Sequence, residues 1–465
     1  MDIVHAQVRE NSRAESLAEG RSVRRRLARK GLAGSVPHTR DPITILEEQN
    51  ALRLPELLPL RTERMLASPF AFYRGTAALM AADLAEDPHT GLLVVSCGDA
   101  HLSNFGFFAT PERRLAFDLN DFDEAGVAPW EWDVKRLTTS VVVGGADAGY
   151  DEDVVRSVAA ETVRTYQRSL ASLLALSPVE RYYMHTDLRS SRAGLDQRSL
   201  AALDAALDAA LARARKRTSE RAVRRTTEIG ADGVRRFVED PPRMTHLPVE
   251  QDEMVPFFEE YRAGVGIDLG LVLSQYAPVD AVRRVVGVGS VGTRCSLVLL
   301  EGADGDTLLL QVKEATDSVL ARYGGTTFSE ATAERFAASG NGLRVVALQQ
   351  ILQVVSDPFL GHFRRDGRDF YVRQFHDMKG AIDLEGLEPE AFGPYAAACA
   401  TMLARAHAQS PGFARVVGYL GRSHTAADAI VDWSFDYADQ SLRDFRALRD
   451  AVASGRLPAP PETVD

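Results

Sequence analysis

The stretch AVRRVVGVGSVGTRCSLVLLEGADGDTLLLQVKEA, residues 281–315, decides how this chain is built. Two runs rich in β-branched and apolar residues, Cys295–Glu301 and Thr307–Lys313, flank a Gly-Asp turn, the pattern of a β-hairpin. Before them stands GVGSVG, Gly287 to Gly292, which fits G-x-G-x-x-G. A dinucleotide-binding fold needs a helix after that motif, with the phosphate at its amino terminus. Here a strand follows, and no G-K-[ST] ending makes it a P-loop. Strand, glycine loop and strand is the arrangement of a phosphate lid, where bare glycine backbone can approach a polyphosphate. A glycine-rich hairpin turn without a ligand gives the same pattern. Lys313 shifts the balance, because it closes the apolar strand TLLLQVK, where a charge is costly unless it meets another. Bound phosphates supply one. The candidate nucleotide-binding residues are Gly287, Gly289, Ser290, Gly292 and Lys313.

Outward from this unit the pattern is helical. Downstream, GLRVVALQQILQVV reads as a helix, and FLGHFRRDGRDFYVRQF as a hairpin turning at Asp366 and Gly367. A kinase-like lysine pairs with a glutamate on such a helix. This helix has none, and Glu330 and Glu334 lie upstream of it, so the partner of Lys313 stays open. YAAACATMLARAHAQS resumes the helices, and SGRLPAPPETVD is a Pro-rich tail expected to be loose. Upstream, SPFAFYRGTAALMAADLAED, APWEWDVKRLTTSVVVGGADAGY, EDVVRSVAAETVRTYQRSLASLLAL and SLAALDAALDAALARARKR read as helices. In the last of these Leu200, Leu203, Leu207 and Leu211 share a face. The expected organisation is a polar segment at 1–40, a mainly helical part at 41–279, a β-rich part with one helix at 280–385, returning helices at 386–450 and a tail at 451–465. The fold class is α+β.

The composition fits an ordinary globular protein: 465 residues, 45% hydrophobic and 26% charged. That length allows two to four compact units with sizeable cores. A formal net charge of −11 favours solubility and argues against a dominant nucleic-acid surface. The exception is RSVRRRLARKG, with six basic residues between Arg21 and Lys30, which reads as a solvated, frayed helix or a contact for an acidic partner. Cys97, Cys295 and Cys399 are far apart and odd in number, so neither a disulfide framework nor a zinc site is indicated. No apolar run follows the basic residues as a signal peptide would require, and no apolar stretch is long enough to span a bilayer. The expected address is the cytoplasm.

The second informative stretch is CGDAHLSNFGFFATPERRLAFDLNDFDEAG, Cys97–Gly126, which interleaves six acidic residues with apolar strand-like runs. The buried-strand pattern GLLVVSC delivers the chain to Asp99. GDAHLSN has the form G-D-x-H-x-x-N, in which an Asp orients or accepts a hydroxyl proton and an Asn oxygen binds Mg²⁺. A further carboxylate is expected after a short hairpin, and RRLAFDLNDFDEAG provides it. Mg²⁺ keeps several waters, so one Asn and one or two Asp suffice. Asp99 and His101 are the candidate catalytic residues, and Asn104, Asp118 and Asp121 the candidate metal ligands. Asp121, followed by Phe122, fits an Asp-aromatic pattern, while Asp118 has the more usual distance from Asn104. An EF-hand is excluded, because Phe122 and Asp123 stand where that loop needs a ligand and a glycine. Taken singly, Asp99 is also a helix cap by type, and His101 a core histidine.

Together, SPFAFYRG, GDAHLSNFG, DLNDFDE, GVGSVGTR and LQVKEA resemble the bacterial family catalogued as domain of unknown function 2252, from about Arg40 to about Asp450. That family in turn is similar to the protein-kinase-like superfamily, especially aminoglycoside and choline phosphotransferases with their H-G-D-x-H-x-x-N and I-D-[FW] motifs. The resemblance implies a two-lobe kinase-like fold, with Asp99 as the catalytic Asp, Asn104 and Asp121 or Asp118 on the metal, and Lys313 on the nucleotide. It implies that Asp133 in WEWDVKRL supports the catalytic loop. Cys97 stands where the relatives have His, which puts that loop's hydrogen bonding in question. The order of parts is reversed, since Asp99 precedes the glycine loop. The implied fold is therefore circularly permuted, with the helical catalytic lobe first, which folding tolerates at exposed joints.

The expected function is ATP- and Mg²⁺-dependent phosphotransfer to an unidentified, small-molecule acceptor. The alternative is a nucleotide-binding pseudokinase, or a nucleotidyl transferase acting on a protein partner. A metal-dependent hydrolase using the acidic cluster alone leaves the glycine loop and Lys313 without a role.

Overall fold

The apolar run before the acidic motif forms strand β1 (Leu93–Ser96). One 3-10 turn, Leu102–Asn104, then leads into β2 (Phe105–Ala109), which pairs antiparallel with β3 (Leu115–Leu119). β4 (Gly126–Pro129) returns to pair with β1. These coordinates are a computed structural model, which describes residues 12–34, 36–184, 197–248, 251–285, 287–375, 378–384 and 386–461.

Helix α1 (Trp130–Asp147) is buried on every side through Gly145, as expected of a helix at the centre of a large core. α2 (Glu152–Ser172) packs beside it, and Trp130 stacks on Tyr166 with ring centroids 5.8 Å apart. The helix over Gln197–Arg215 buries Leu203 and Leu207 as its periodicity predicts. A small hairpin, β5 (Thr227–Ile229) and β6 (Arg235–Phe237), follows.

The glycine-loop region builds a six-stranded antiparallel sheet. Its strands are β7 (Met244–His246), β8 (Ala277–Arg284), β9 (Cys295–Glu301), β10 (Thr307–Ala315), β11 (Gly361–Arg365) and β12 (Arg368–Gln374), in the spatial order β11-β12-β10-β9-β8-β7. The sheet thus begins before residue 280, because Met244–His246 adds an edge that is too short to show an alternation in sequence. Asp366 and Gly367 turn the β11–β12 hairpin with φ of 51° and 70°, the left-handed pair an Asp-Gly turn supplies. Leu308, Leu310 and Val372 bury one face with Phe258, Tyr261 and Phe363. Leu297, Leu299 and Leu309 bury the other with Val223 and Phe375.

Between β10 and β11 runs α3 (Glu330–Leu352), broken at Gly340, whose φ of 82° no helix accommodates. The bend lets the Asn341 N–H donate to Asp369 on β12 at 2.7 Å. After β12 the chain reaches β13 (Gly380–Ala381), which pairs with Gly106 and Phe107 on β2. That pairing ties the end of the large sheet's segment to the acidic motif. α4 (Pro389–His407) and α5 (Thr425–Ala453) then rejoin the helical core around α1 and α2.

Two expectations for the chain's ends are corrected. The arginine run is solvated only in part: Arg21, Arg25, Arg26 and Lys30 are exposed, but Arg24 donates to the carbonyls of Tyr419 (2.8 Å) and Gly418 (2.6 Å), and Arg29 to Leu420 (2.8 Å). These close the carboxyl end of the helix Phe413–Leu420, whose last carbonyls lack partners within the helix. The Pro-rich tail is anchored as far as Leu457, which is buried, and Arg456 pairs with Asp41 (3.0 Å) and Glu47 (2.8 Å).

Candidate active site

A cavity of about 330 Å³ lies where the acidic motif faces the glycine loop. Asp99, His101, Asn104, Asp121 and Asp123 line one side, and Gly287, Val288, Gly289 and Ser290 another.

Asp99 is placed from α1. Asp133, in the first turn of α1, accepts from the main-chain N–H of Cys97 (2.9 Å) and Gly98 (3.1 Å), the two residues before Asp99. His407 of α4 also meets Asp133 at 3.1 Å through Nε2, and its Nδ1 meets the Tyr166 hydroxyl at 2.8 Å. One turn along α1, Arg136 grips Asp99 Oδ1 with Nε at 2.9 Å and Nη2 at 2.8 Å, and lies over the Tyr73 ring. Burial pushes the Asp99 carboxyl up to about 6, against the opposing pull of Arg136. His101 Nε2 is 3.6 Å from Asp99 Oδ2, while its Nδ1 is buried without a partner. Burial, with Arg74 and Arg136 nearby, lowers the imidazole well below its usual value, so it is neutral. Cys97 needs no histidine's chemistry in its place, since Asp133 and Arg136 hold this loop.

Gly98 has φ of 79°, and a Cβ there would stand 2.2 Å from the Glu124 carbonyl oxygen. Gly98→Ala is therefore expected to destabilise the protein by at least ~1–3 kcal/mol, the cost of a strained backbone before any clash is added. Chemical denaturation against wild type checks it, and an unchanged midpoint would contradict this placement of the loop.

Asn104 donates its amide hydrogens to the carbonyls of Asp99 (3.0 Å) and Asp121 (3.1 Å). That fixes the side chain and leaves its oxygen as the acceptor. Asp121 is at the cavity floor, its side chain 49% exposed, yet Oδ1 is buried with no hydrogen bond. Burial raises its carboxyl, but Lys313, Arg373 and Lys379 outweigh that and lower it below the usual range. The oxygens of Asn104 and Asp121 are the pair that could hold a hard cation. No group of three or more His, Cys, Asp or Glu suited to a metal occurs among the described residues.

Asp118 is not in the cavity. It is fully buried, accepting from Leu119 N (2.9 Å) and Val354 N (2.7 Å), with Arg405 at 3.6 Å. Its carboxylate is taken up by the main chain just after α3 and by Arg405 of α4, whereas Asp121 lines the cavity.

Lys313 reaches the motif across the two parts of the chain. Its Nζ is 2.5 Å from Asp123 Oδ2 and 3.7 Å from Asp121 Oδ1, and the Tyr371 hydroxyl donates to Asp123 Oδ1 at 2.5 Å. The lysine is 2% exposed and does not line the cavity. Burial works against its charge, but Asp121 and Asp123 prevail and raise its pKa well above the usual value. Its partners are thus carboxylates of the motif rather than a helix glutamate; Glu330 and Glu334 are exposed. α3 instead offers Arg344, which donates to the carbonyls of Asp123 (3.0 Å), Ala125 (2.5 Å) and Thr316 (2.7 Å).

The glycine loop is pinned to the helical part. Arg64 donates to the Gly287 carbonyl, Arg53 to that of Val291 at 2.5 Å, and Leu54 N to that of Gly292 at 2.8 Å. Gly292 does not line the cavity; Gly287, Gly289 and Ser290 do.

Sequence reasoning missed Arg136, Asp123, Glu124, Arg344 and Lys379. Arg136 was within reach, because it lies three residues after Asp133 and so on the same helix face. Glu124 lines the cavity and accepts from Val319 N at 2.7 Å; burial raises its carboxyl to about 7. Lys379 also lines it, and burial, reinforced by Arg373, lowers its amine to about 7. Neither carried a motif. The family model described as "Uncharacterized protein conserved in bacteria (DUF2252)" matches residues 53–451. No curated protein and no solved structure matches the chain.

Proposed function

Because the chain belongs to the bacterial DUF2252 family, whose description assigns no activity, the cleft has to supply the function, and we propose that it is an ATP- and Mg²⁺-dependent phosphotransferase. The observation that carries this reading is the convergence of distant segments. Lys313 stands 3.7 Å from Asp121, and Gly287–Ser290 share one cavity with Asp99 and Asn104. Each segment is incomplete alone, and together they are the parts a kinase-like site uses to position phosphates, metal and acceptor. In this reading the order along the chain would make the arrangement a permuted, two-lobe one. Lys313 lies on the third strand from the glycine loop's entry, β8, β9, β10, with α3 after it, which also supports the reading.

In this reading Asp99, oriented by Arg136, accepts the acceptor's hydroxyl proton, and neutral His101 lines the acceptor's approach. Asn104 and Asp121 would hold Mg²⁺, which when bound neutralises phosphate charge. The Oδ1 of Asp121, which accepts no hydrogen bond, and the oriented Asn104 fit such an ion, with phosphate and water oxygens completing its shell. In this reading the acceptor is a small hydroxyl- or amine-bearing molecule.

Thermal shift with ATP, GTP and other nucleotides, each with and without Mg²⁺, tests this directly. A nucleotide at a hundred times its dissociation constant is expected to stabilise the fold by about 2.7 kcal/mol. Asp121→Asn is expected to abolish the Mg²⁺-dependent part of that shift. No shift with any nucleotide would overturn the reading. The locking of Lys313 onto Asp121 and Asp123 favours a second reading, a nucleotide-binding pseudoenzyme, which predicts the same shifts but no turnover.

A further inference from the structure

We infer that Lys379, rather than Lys313, is the lysine that meets the anionic phosphates in the cleft; this deepens the phosphotransferase reading and rests on it. Lys313 is already neutralised. Its ammonium is 2% exposed, 2.5 Å from Asp123 and 3.7 Å from Asp121, with the Tyr371 ring 5.3 Å away, and it does not border the cavity. To reach a phosphate it would have to leave two carboxylates that also need it.

Lys379 is in the opposite situation. It lines the cavity, is partly buried, and has no hydrogen bond or ion pair with any described residue. Its backbone is held on both sides, so its position is defined. Met378 before it, with φ of 50°, donates its N–H to the Arg217 carbonyl at 2.9 Å. Gly380 after it is paired in register with Phe107 of β2, directly after the Leu102–Asn104 turn. Lys379 thereby lines the same cavity as Asn104 and Asp121, close enough to Asp121 for their charges to interact.

Its electrostatic surroundings want an anion. Arg373 on β12, Lys313 on β10 and Lys379 all act on Asp121, and Asp123 is already shared by Lys313 and Tyr371. The burial and the like charge of Arg373 that weaken its hold on a proton are relieved once a phosphate oxygen arrives. A lysine that is partly dehydrated and unpaired gains more from a charge-assisted bond with a phosphate than one already in an ion pair. The ligand class is a polyphosphate, and its natural source is a nucleoside triphosphate.

The test uses full-length wild type, Lys379→Met and Lys379→Arg, with calorimetric titration of ATP and of inorganic tripolyphosphate, each with Mg²⁺. Lys379→Met is expected to weaken both ligands by about 10–100-fold, the loss of one charged hydrogen bond. Lys379→Arg should recover most of the affinity, which a purely structural role would not require. Unchanged melting temperatures would show that folding is not the cause. If Lys379→Met bound both ligands as tightly as wild type, the inference would be wrong while the nucleotide reading stood. If tripolyphosphate bound through Lys379 but ATP did not, the anion site would stand and the nucleotide reading would fail. Binding of neither ligand to wild type would overturn both.

Discussion

Asp99→Asn is expected to retain nucleotide binding and lose turnover by about 10²–10⁴-fold, the range contributed by a positioned general base. Asparagine keeps the side chain's shape and can still meet Arg136, so the loop before it remains held by Asp133. What it lacks is the capacity to accept the acceptor's proton. The wild-type pH profile carries a second signature of the same residue. The Asp99 carboxyl titrates at about 6, raised by burial, and only its ionised form is a base. Turnover should therefore fall about tenfold per pH unit below that value and level off above it, and the acid limb should vanish in Asp99→Asn. Single-turnover transfer from ATP, measured across pH 5–8 on both proteins, checks this. Equal rates would put the chemistry on another carboxylate. A wild type that binds ATP tightly and transfers nothing to any acceptor would instead favour the pseudoenzyme.

Lys313→Met should destabilise the whole fold. The variant keeps the apolar stem but leaves Asp121 and Asp123 facing each other with their shared counter-charge removed. Breaking a fully buried pair costs about 3–5 kcal/mol. Here the carboxylates retain some solvent, with side chains 49% and 29% exposed, so about 2–3 kcal/mol is expected. The sign with pH follows from Asp121, whose folded carboxyl lies below its unfolded value. Its stabilisation is present above the ordinary carboxylate pKa, near ~3.9, and is lost as pH falls through the lower folded value. The gap between wild type and Lys313→Met should thus be widest at neutral pH and shrink in acid. Denaturant unfolding at pH 7 and pH 3.5 tests it, and equal stability at pH 7 would show that the pairing of Lys313 with the two carboxylates adds nothing to the fold.

The division between Lys313 and Lys379 shows what a linear motif conveys. Lys313 was legible because strand-end burial of a charge is costly, and that cost demands a partner somewhere. The partner was not legible. Asp123 lies far from it in the chain, and nothing local to either residue encodes their approach. Lys379 follows no pattern at all; it matters because two residues of β13 add an edge to β2. Asp118 shows the converse. Its type and spacing made it as good a ligand as Asp121, and only the direction of one side chain on β3 separates them.

The sequence by itself determined the local elements and their chemistry. Runs of apolar and β-branched residues set the strands of the large sheet other than β7, the Asp-Gly and Gly-rich turns set its hairpins, and three-to-four-residue spacing set the helices. These depend on interactions within a few residues, so they are written where they act. Tertiary structure decided which charges meet. Asp133 reaching back to Cys97 and Gly98, Arg136 gripping Asp99, and the arginines near the amino terminus closing the helix Phe413–Leu420 are contacts between distant segments. Such pairings follow from how buried faces are packed against one another. A buried charge specifies only that it must be matched, and the packing of the helices and sheet chooses its match.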